Sequence, residues 1–249
     1  MAARVFRKTG PESALDMFEA EAEGLRELAA ADAIRTPEVY DVGVASDSAF
    51  IEIEWLDLKR GNADHERTLG EQLALLHRHT AERHGWHRNN TIGPTPQLNP
   101  WSDDWVGFFR EHRLVFQLEL AARNGYGGDL QVLGQTLGEN LSSLFDGYDP
   151  EPSLLHGDLW AGNWGVANDV PVIFDPAVYY GDRESDIAMT MLFGGYGRAF
   201  YSAYESAWPM AAGHERRLDL YKLYHVINHL NLFGSGYLGQ AVSLLKGLT

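Results

Sequence analysis

A single stretch, residues 154–175, narrows most what this chain can fold into. Two short apolar runs there flank Asn168-Asp169, a pair suited to the two-residue turn of a β-hairpin. Strand pairing would set Trp164 opposite Ile173 and Asn163 opposite Phe174. The surrounding sequence is helical: apolar residues recur at helical spacing over 69–79, 103–124 and 131–145, and three helical patterns follow residue 184. A strand pair set among helices excludes a plain helical bundle. The beginning of the chain differs again. Residues 5–8 read as a strand that Gly10-Pro11 breaks, and a helix of about five turns starts near Glu12 with Leu15, Phe18, Ala22, Leu25 and Ala29 on one face. Strands at 39–45 and 49–55 then surround an Asp47-Ser48 turn. The expectation is an α+β protein with a small strand-and-helix part, residues 1–57, and a larger, mainly helical part, residues 58–249, that contains the hairpin.

The hairpin brings oxygen ligands together. Asn163 and Asp175 would emerge at its open end, an amide oxygen beside a carboxylate, which suits Mg²⁺ that keeps its other positions for water and phosphates. Asp158 lies five residues before Asn163. That is the spacing of the protein-kinase catalytic loop, whose aspartate takes the acceptor hydroxyl's proton while the asparagine binds metal. Asp158 is therefore the candidate base and Asn163 and Asp175 the candidate metal ligands. His156 is expected to order the loop rather than to react.

A kinase-type site also needs a strand lysine on the nucleotide phosphates, held by a helix glutamate. Lys8 fits the first role. Glu21 lies nearest the centre of the following helix's apolar stripe and is the expected partner, with Glu19 as the fallback and Glu23 pointing largely to water. The strand ending at Glu54 runs into Trp55-Leu56-Asp57, where the Glu54 carbonyl and Leu56 amide are candidates for holding adenine.

Bulk properties exclude other classes. A formal net charge of −15, from 20 Lys+Arg against 35 Asp+Glu, repels nucleic acid and anionic membrane surfaces and is compatible with a cleft for cationic substrates. Cysteine is absent, which excludes disulfides, thiolate zinc sites and a cysteine nucleophile. The start, Met1 to Lys8, has no apolar signal core, so a cytoplasmic location is expected. His77, His79, His84 and His87 match no zinc-binding spacing, and Trp105, Phe108 and Phe109 are expected in the core.

His156-Gly157-Asp158, Asn163, Asp175 and then Asp186-Ile187-Ala188 together resemble the aminoglycoside and choline kinase branch of the protein-kinase-like fold. Only ten residues separate Asp175 from Asp186, which favours a small, open acceptor site over a peptide groove. Within that branch, His156-Gly157-Asp158-Leu159-Trp160-Ala161-Gly162-Asn163 resembles the fructosamine (ketosamine) kinase signature, with tryptophan two positions after the aspartate. Met17 to Glu21, Asn90 to Gly93, Phe174 to Glu184 and Asn228 to Gly234 are similar to that family as well, so the resemblance spans nearly the whole chain.

The resemblance implies a bilobal protein-kinase-like fold, with ATP and Mg²⁺ as cofactors. It also implies phosphorylation of the sugar 3-hydroxyl of a ketosamine, either a small molecule or a glycated lysine on a protein, giving a labile 3-phosphate that releases the amine. Trp160 would stack on the sugar and attract the adduct's cationic amine, the alternative being plain packing. Asn90 to Gln97 and Trp101 would form the far wall of the acceptor pocket. The family usually carries two strands and a glycine-containing phosphate loop ahead of the lysine strand, whereas seven residues precede Lys8 here. The expected N-lobe is therefore a shortened one. Two other readings stay open at this point: a non-catalytic relative that binds a sugar-amine or a partner, and a kinase for another small acceptor such as an aminoglycoside or amino alcohol. Oligomeric state is not legible.

Overall fold

The computed structural model describes residues 4–249; the reading of the first three residues lies outside them. Strand β1 (Val5–Pro11) is followed, after a short 3₁₀ turn, by helix α1 (Leu15–Ala30) and by strands β2 (Val39–Ala45) and β3 (Ser48–Glu54). The three strands form an antiparallel sheet in the order β1-β3-β2. The apolar stripe read from the sequence is what docks α1 on this sheet: Phe18, Ala22 and Leu25 pack against Ala49, Ile51 and Ile53 in a core of their own.

Two local expectations are corrected. Strand β1 does not stop at Gly10-Pro11 but runs through both, Gly10 pairing with Ala49 and Pro11 with Ser48. As the last residue of an edge strand, Pro11 withholds its missing N–H only where the ladder ends. The β2–β3 turn is Ser46-Asp47, one residue earlier than expected, with φ of 50° and 61°. Both central residues of such a tight hairpin turn must adopt the left-handed region, and Ser46 accepts it here.

The larger part begins with α2 (Ala63–His77), six residues ahead of its apolar pattern. Asn62 caps it, its side chain accepting from the amides of Asp64 and His65, while His65 Nδ1 accepts from the Asn62 amide. A small hairpin, β4 (Asn90–Ile92) and β5 (Thr95–Gln97), precedes a long helical rod. The rod runs from α3 (Trp105–Phe109) through a π-helical turn (Arg110–Val115) into α4 (Phe116–Arg123). Trp105, Phe108 and Phe109 are buried, as expected. After α5 (Asp129–Asn140) comes the strand region: β6 (Ser153–Leu155), β7 (Trp164–Ala167), β8 (Val170–Ile173) and β9 (Tyr179–Gly181). Strands β7 and β8 pair in the expected register, Trp164 with Ile173, around Asn168-Asp169 at φ of 53° and 64°.

Four helices, not three, then close the chain: α6 (Glu184–Leu192), α7 (Arg198–Ala207), α8 (His214–Phe233) and α9 (Leu238–Leu248). Gly234, at φ 95°, ends α8 ahead of α9. Among the described residues, no helix is long and apolar enough to cross a membrane.

A second, larger core joins these helices to β6 through β9 and includes Leu73, Phe108, Leu155, Ile173, Ile187 and Leu223. Charge is buried inside it. Arg217 forms a two-pronged pair with Glu184, Nε to Oε2 at 2.8 Å and Nη2 to Oε1 at 2.9 Å. Asp182 accepts from the hydroxyls of Tyr148 (2.9 Å) and Tyr221 (2.6 Å). These bonds fix the start of α6, which carries the Asp186 used below.

His225 is wholly buried in α8, and burial, with a smaller push from His229, depresses its pKa to about 3. In the unfolded chain a histidine titrates near 6.5. Between those values only the unfolded state takes the proton, so the contribution of neutral His225 is fully present above pH 6.5 and is lost as pH falls toward 3. By pH 5 the loss is about 2 kcal/mol, or roughly 4–8 °C of melting temperature. His225→Gln is therefore expected to lose less stability than the parent between pH 7 and 5, as read by thermal denaturation. Equal losses would contradict it.

Candidate active site

The loop after β6 is held in place by a buried carboxylate. Asp186 accepts the His156 amide at 2.8 Å and the Gly157 amide at 2.9 Å, and also meets His77 Nε2 at 3.2 Å. Burial alone would push Asp186 up, but the hydrogen bond and charge of His77 and the Gly157 amide outweigh it and hold the carboxyl below its usual range. Gly157 sits at φ 82°, and a Cβ there would stand 2.0 Å from the Ala177 carbonyl oxygen, so only glycine lets the two segments approach this closely.

His156 is a strut. Its Nδ1 accepts the Asp158 amide at 3.2 Å, which leaves the proton on Nε2 to donate to the Phe174 carbonyl at 3.0 Å. Burial lowers its pKa and keeps the ring neutral. The loop-ordering role expected from the sequence matches this geometry.

Asp158, Asn163 and Asp175 meet at the open end of the hairpin. Asn163 Nδ2 donates to the Asp158 carbonyl (2.9 Å), to Asp158 Oδ2 (3.3 Å) and to the Asp175 carbonyl (3.3 Å). All its donor capacity faces the protein, and among the described residues no donor is recorded to its Oδ1. Asp175 adopts φ 58°, a left-handed conformation that costs a non-glycine residue roughly 1–2 kcal/mol, and its carboxylate is 45% exposed. A spare amide oxygen beside an accessible carboxylate fits a magnesium ion, which needs few protein ligands when phosphates complete its shell. Among the described residues no cluster of three or more His, Asp or Glu forms a closed metal site. Asp158 is pushed up to about 8, first by burial and then by the charges of Asp186 and Asp175, against the Asn163 hydrogen bond. It is the most perturbed carboxylate facing the cleft.

Lys8 reaches this corner from β1. Its Nζ donates to Glu21 at 2.7 Å and to Asp175 at 2.5 Å. Burial would lower its pKa, but the two carboxylates outweigh burial and raise it. Glu21 is the partner expected from the helical wheel. The fallback, Glu19, lies 44% exposed and 3.9 Å from Arg88. Glu23 is solvent-accessible, as expected, but is also paired there: it binds His87 at 2.7 Å and Arg88 at 2.5 Å, and Arg88 also holds Asp16 at 2.6 Å. These pairs tie α1 to the larger part of the chain.

Two cavities share Lys8 and Asp175. One, of about 290 Å³, is walled mainly by apolar side chains, Phe6, Ile53, Trp55, Leu56 and Leu58, with Glu54 among them. Glu54 and Leu56 thus line it, although the Glu54 side chain is turned to Arg35 at 2.6 Å. The other, of about 520 Å³, has Asp158, Trp160 and Asn163 on one side, Met17 and Glu21 on another, and Asn90, Thr91, Gly93 and Pro94 opposite. Trp160 is 41% exposed at its rim. Trp101 does not line it; it packs beside Tyr180, with ring centroids 6.2 Å apart. The stretch 90–97 is a hairpin rather than a loop: its Asn90 and Gln97 side chains are buried, while residues 90, 91, 93 and 94 line the larger cavity. A groove of about 550 Å³ beside α5 is larger, but Arg110, Glu119 and Glu139 are the only charged residues that line it.

Sequence reasoning missed the role of Asp186, although Asp186-Ile187-Ala188 stands out as part of the motif order. The only available signal was a carboxylate at the start of a helix otherwise apolar enough to be buried.

The sequence profile described as "Fructosamine kinase" matches residues 1–249. A candidate ketoamine kinase of Synechocystis is 45% identical over 98% of this chain and 82% of that protein. The chloroplastic protein-ribulosamine 3-kinase of Arabidopsis thaliana is 43% identical over 96% of this chain and 74% of its own length. Among solved structures, a candidate fructosamine-3-kinase from Haemophilus somnus superposes with a TM-score of 0.91 at 29% identity, covering 99% of this chain and 84% of that one. An ADP-bound aminoglycoside phosphotransferase superposes at 0.63 and 16% identity over 98% of this chain and 86% of that one, a likeness of fold alone. The fold is protein-kinase-like.

Gly157→Ala is expected to cost at least about 1 kcal/mol from the left-handed backbone, before the clash with Ala177 is added. An unchanged midpoint in urea would mean that the loop and residue 177 are not in close contact.

Proposed function

The chain belongs to the fructosamine kinase family, and on that premise we propose that it transfers the γ-phosphoryl group of ATP to the 3-hydroxyl of a ketosamine. Asp158 takes the proton of that hydroxyl as its oxygen bonds to the γ-phosphorus. The bond from phosphorus to the β,γ-bridging oxygen breaks, and ADP leaves. The products are the ketosamine 3-phosphate and ADP, with the proton on Asp158 passing to solvent.

The other residues serve position and charge. Lys8 lies against the nucleotide phosphates and Glu21 holds it there. The Glu54 carbonyl and Leu56 amide meet adenine in the apolar cavity. Asn163 and Asp175 would hold magnesium, which when bound would supply positive charge against the phosphates and favour the ionised form of the neighbouring Asp158 carboxyl. Trp160 presents its indole face to the sugar and to the cationic amine, which an acidic protein favours. The lobes divide near residue 57, with ATP between them. Fructosyl or ribulosyl groups on small amines or on protein lysines are the acceptors, and the amine's release makes the reaction a deglycation.

The observation that supports this reading best is the convergence of Asp158, Asn163, Asp175 and Lys8, drawn from three separate segments, on one pair of joined cavities. The test is ADP release with Mg-ATP and fructosyl-lysine or ribulosyl-lysine. Asp158→Asn is expected to lower kcat by about 10²–10⁴. Equal turnover by the two proteins would remove Asp158 from the reaction.

A further inference from the structure

Arg113 is the anomaly of this fold. Its side chain is fully buried, yet among the described residues no carboxylate lies within 4 Å of it. Its charge is met instead by oxygens and rings: Nη1 donates to the Leu98 carbonyl (2.6 Å) and the His112 carbonyl (3.0 Å), and Nη2 donates to Asn99 Oδ1 (2.7 Å). The guanidinium lies 4.3 Å from the Tyr179 ring centroid and 4.8 Å from that of Phe108. Burying a cation without a counter-ion is costly, and an apolar residue of similar volume would fill the space at less cost. The π-helical turn carrying Arg113 is likewise an irregularity of the kind found at functional sites.

What Arg113 holds explains both. Asn99, fixed by Arg113, donates from Nδ2 to Asn90 Oδ1 at 2.9 Å. Asn90 donates to the Val178 carbonyl at 2.7 Å, and Gln97 donates to Asn90 Oδ1 (2.9 Å) and to the Ala177 carbonyl (3.1 Å). The β4–β5 hairpin is thereby laid against the backbone two and three residues beyond Asp175. Its other side, Asn90, Thr91, Gly93 and Pro94, faces Asp158 and Trp160 across the larger cavity.

We infer that Arg113 is a positioning residue for the acceptor: through Asn99 and Asn90 it sets the distance between the β4–β5 wall and Asp158, and so determines how tightly the ketosamine is held. The inference rests on the larger cavity being the acceptor site. A displacement of about 1 Å in such a wall is enough to cost up to 10²-fold, whereas the nucleotide cavity lies on the far side of Lys8 and Asp175 and is untouched by this network.

Two variants test it. Arg113→Met removes the cation but keeps bulk. Asn99→Asp still accepts from Arg113 and supplies the missing counter-ion, but cannot donate to Asn90, so it breaks the relay without unpairing Arg113. Both are expected to raise KM for the ketosamine at least tenfold while KM for ATP stays within twofold of the parent, with Arg113→Lys intermediate. If Arg113→Met does not fold, Asn99→Asp decides alone. Unchanged ketosamine KM in a folded Asn99→Asp protein, or parallel rises in both KM values, would overturn the inference and leave the acceptor reading standing. A parent protein whose ADP release is not increased by any ketosamine would overturn both.

Discussion

One ammonium group ties the small lobe's sheet and helix to the chemistry of the large one. Lys8 lies between Glu21 on α1 and Asp175 at the end of the hairpin, at 2.7 and 2.5 Å. Without it, Glu21 and Asp175 would be neighbouring like charges in a cleft that also contains Asp158 and, behind it, Asp186. The two cavities meet at Lys8, so both open onto a positive charge that is already placed and already partnered. The outer clamp of His87 and Arg88 on Asp16 and Glu23 keeps α1 from carrying Glu21 away.

Beneath that corner the scaffold is polar and buried, not simply apolar. Asp186 accepts two successive amides of the loop after β6, His156 spans from that loop to Phe174, and Asn163 directs every donor inward. Each of these side chains makes several bonds that only one arrangement allows together, so the loop has little freedom to relax. The left-handed backbone at Gly157 and Asp175 is the conformational cost of bringing the segments this close. Arg113 extends the same logic to the acceptor wall.

Legibility followed sequence distance. The β7–β8 register could be read from the Asn168-Asp169 turn and alternating apolar residues, and Glu21 could be chosen by helical angle, because both depend on neighbours a few residues away. Where a local rule had two solutions it failed by a residue, as at Ser46-Asp47, and periodicity after residue 184 counted one helix too few. The supports of the site were not readable. Asp186 acts on amides 29 and 30 residues distant, and Tyr224 reaches Gln97 across 127 residues. No periodicity carries such pairings, and a buried arginine without a carboxylate has no sequence signature at all.

The most direct measurement is a crystal structure of the protein with magnesium, a non-hydrolysable ATP analogue and a fructosyl-amine. Metal density bridging the Asn163 side-chain oxygen and the Asp175 carboxylate, with the sugar 3-hydroxyl in hydrogen-bonding reach of Asp158, is the predicted result. A metal held by other groups, or a sugar bound with Asp158 turned away from its hydroxyls, would contradict it.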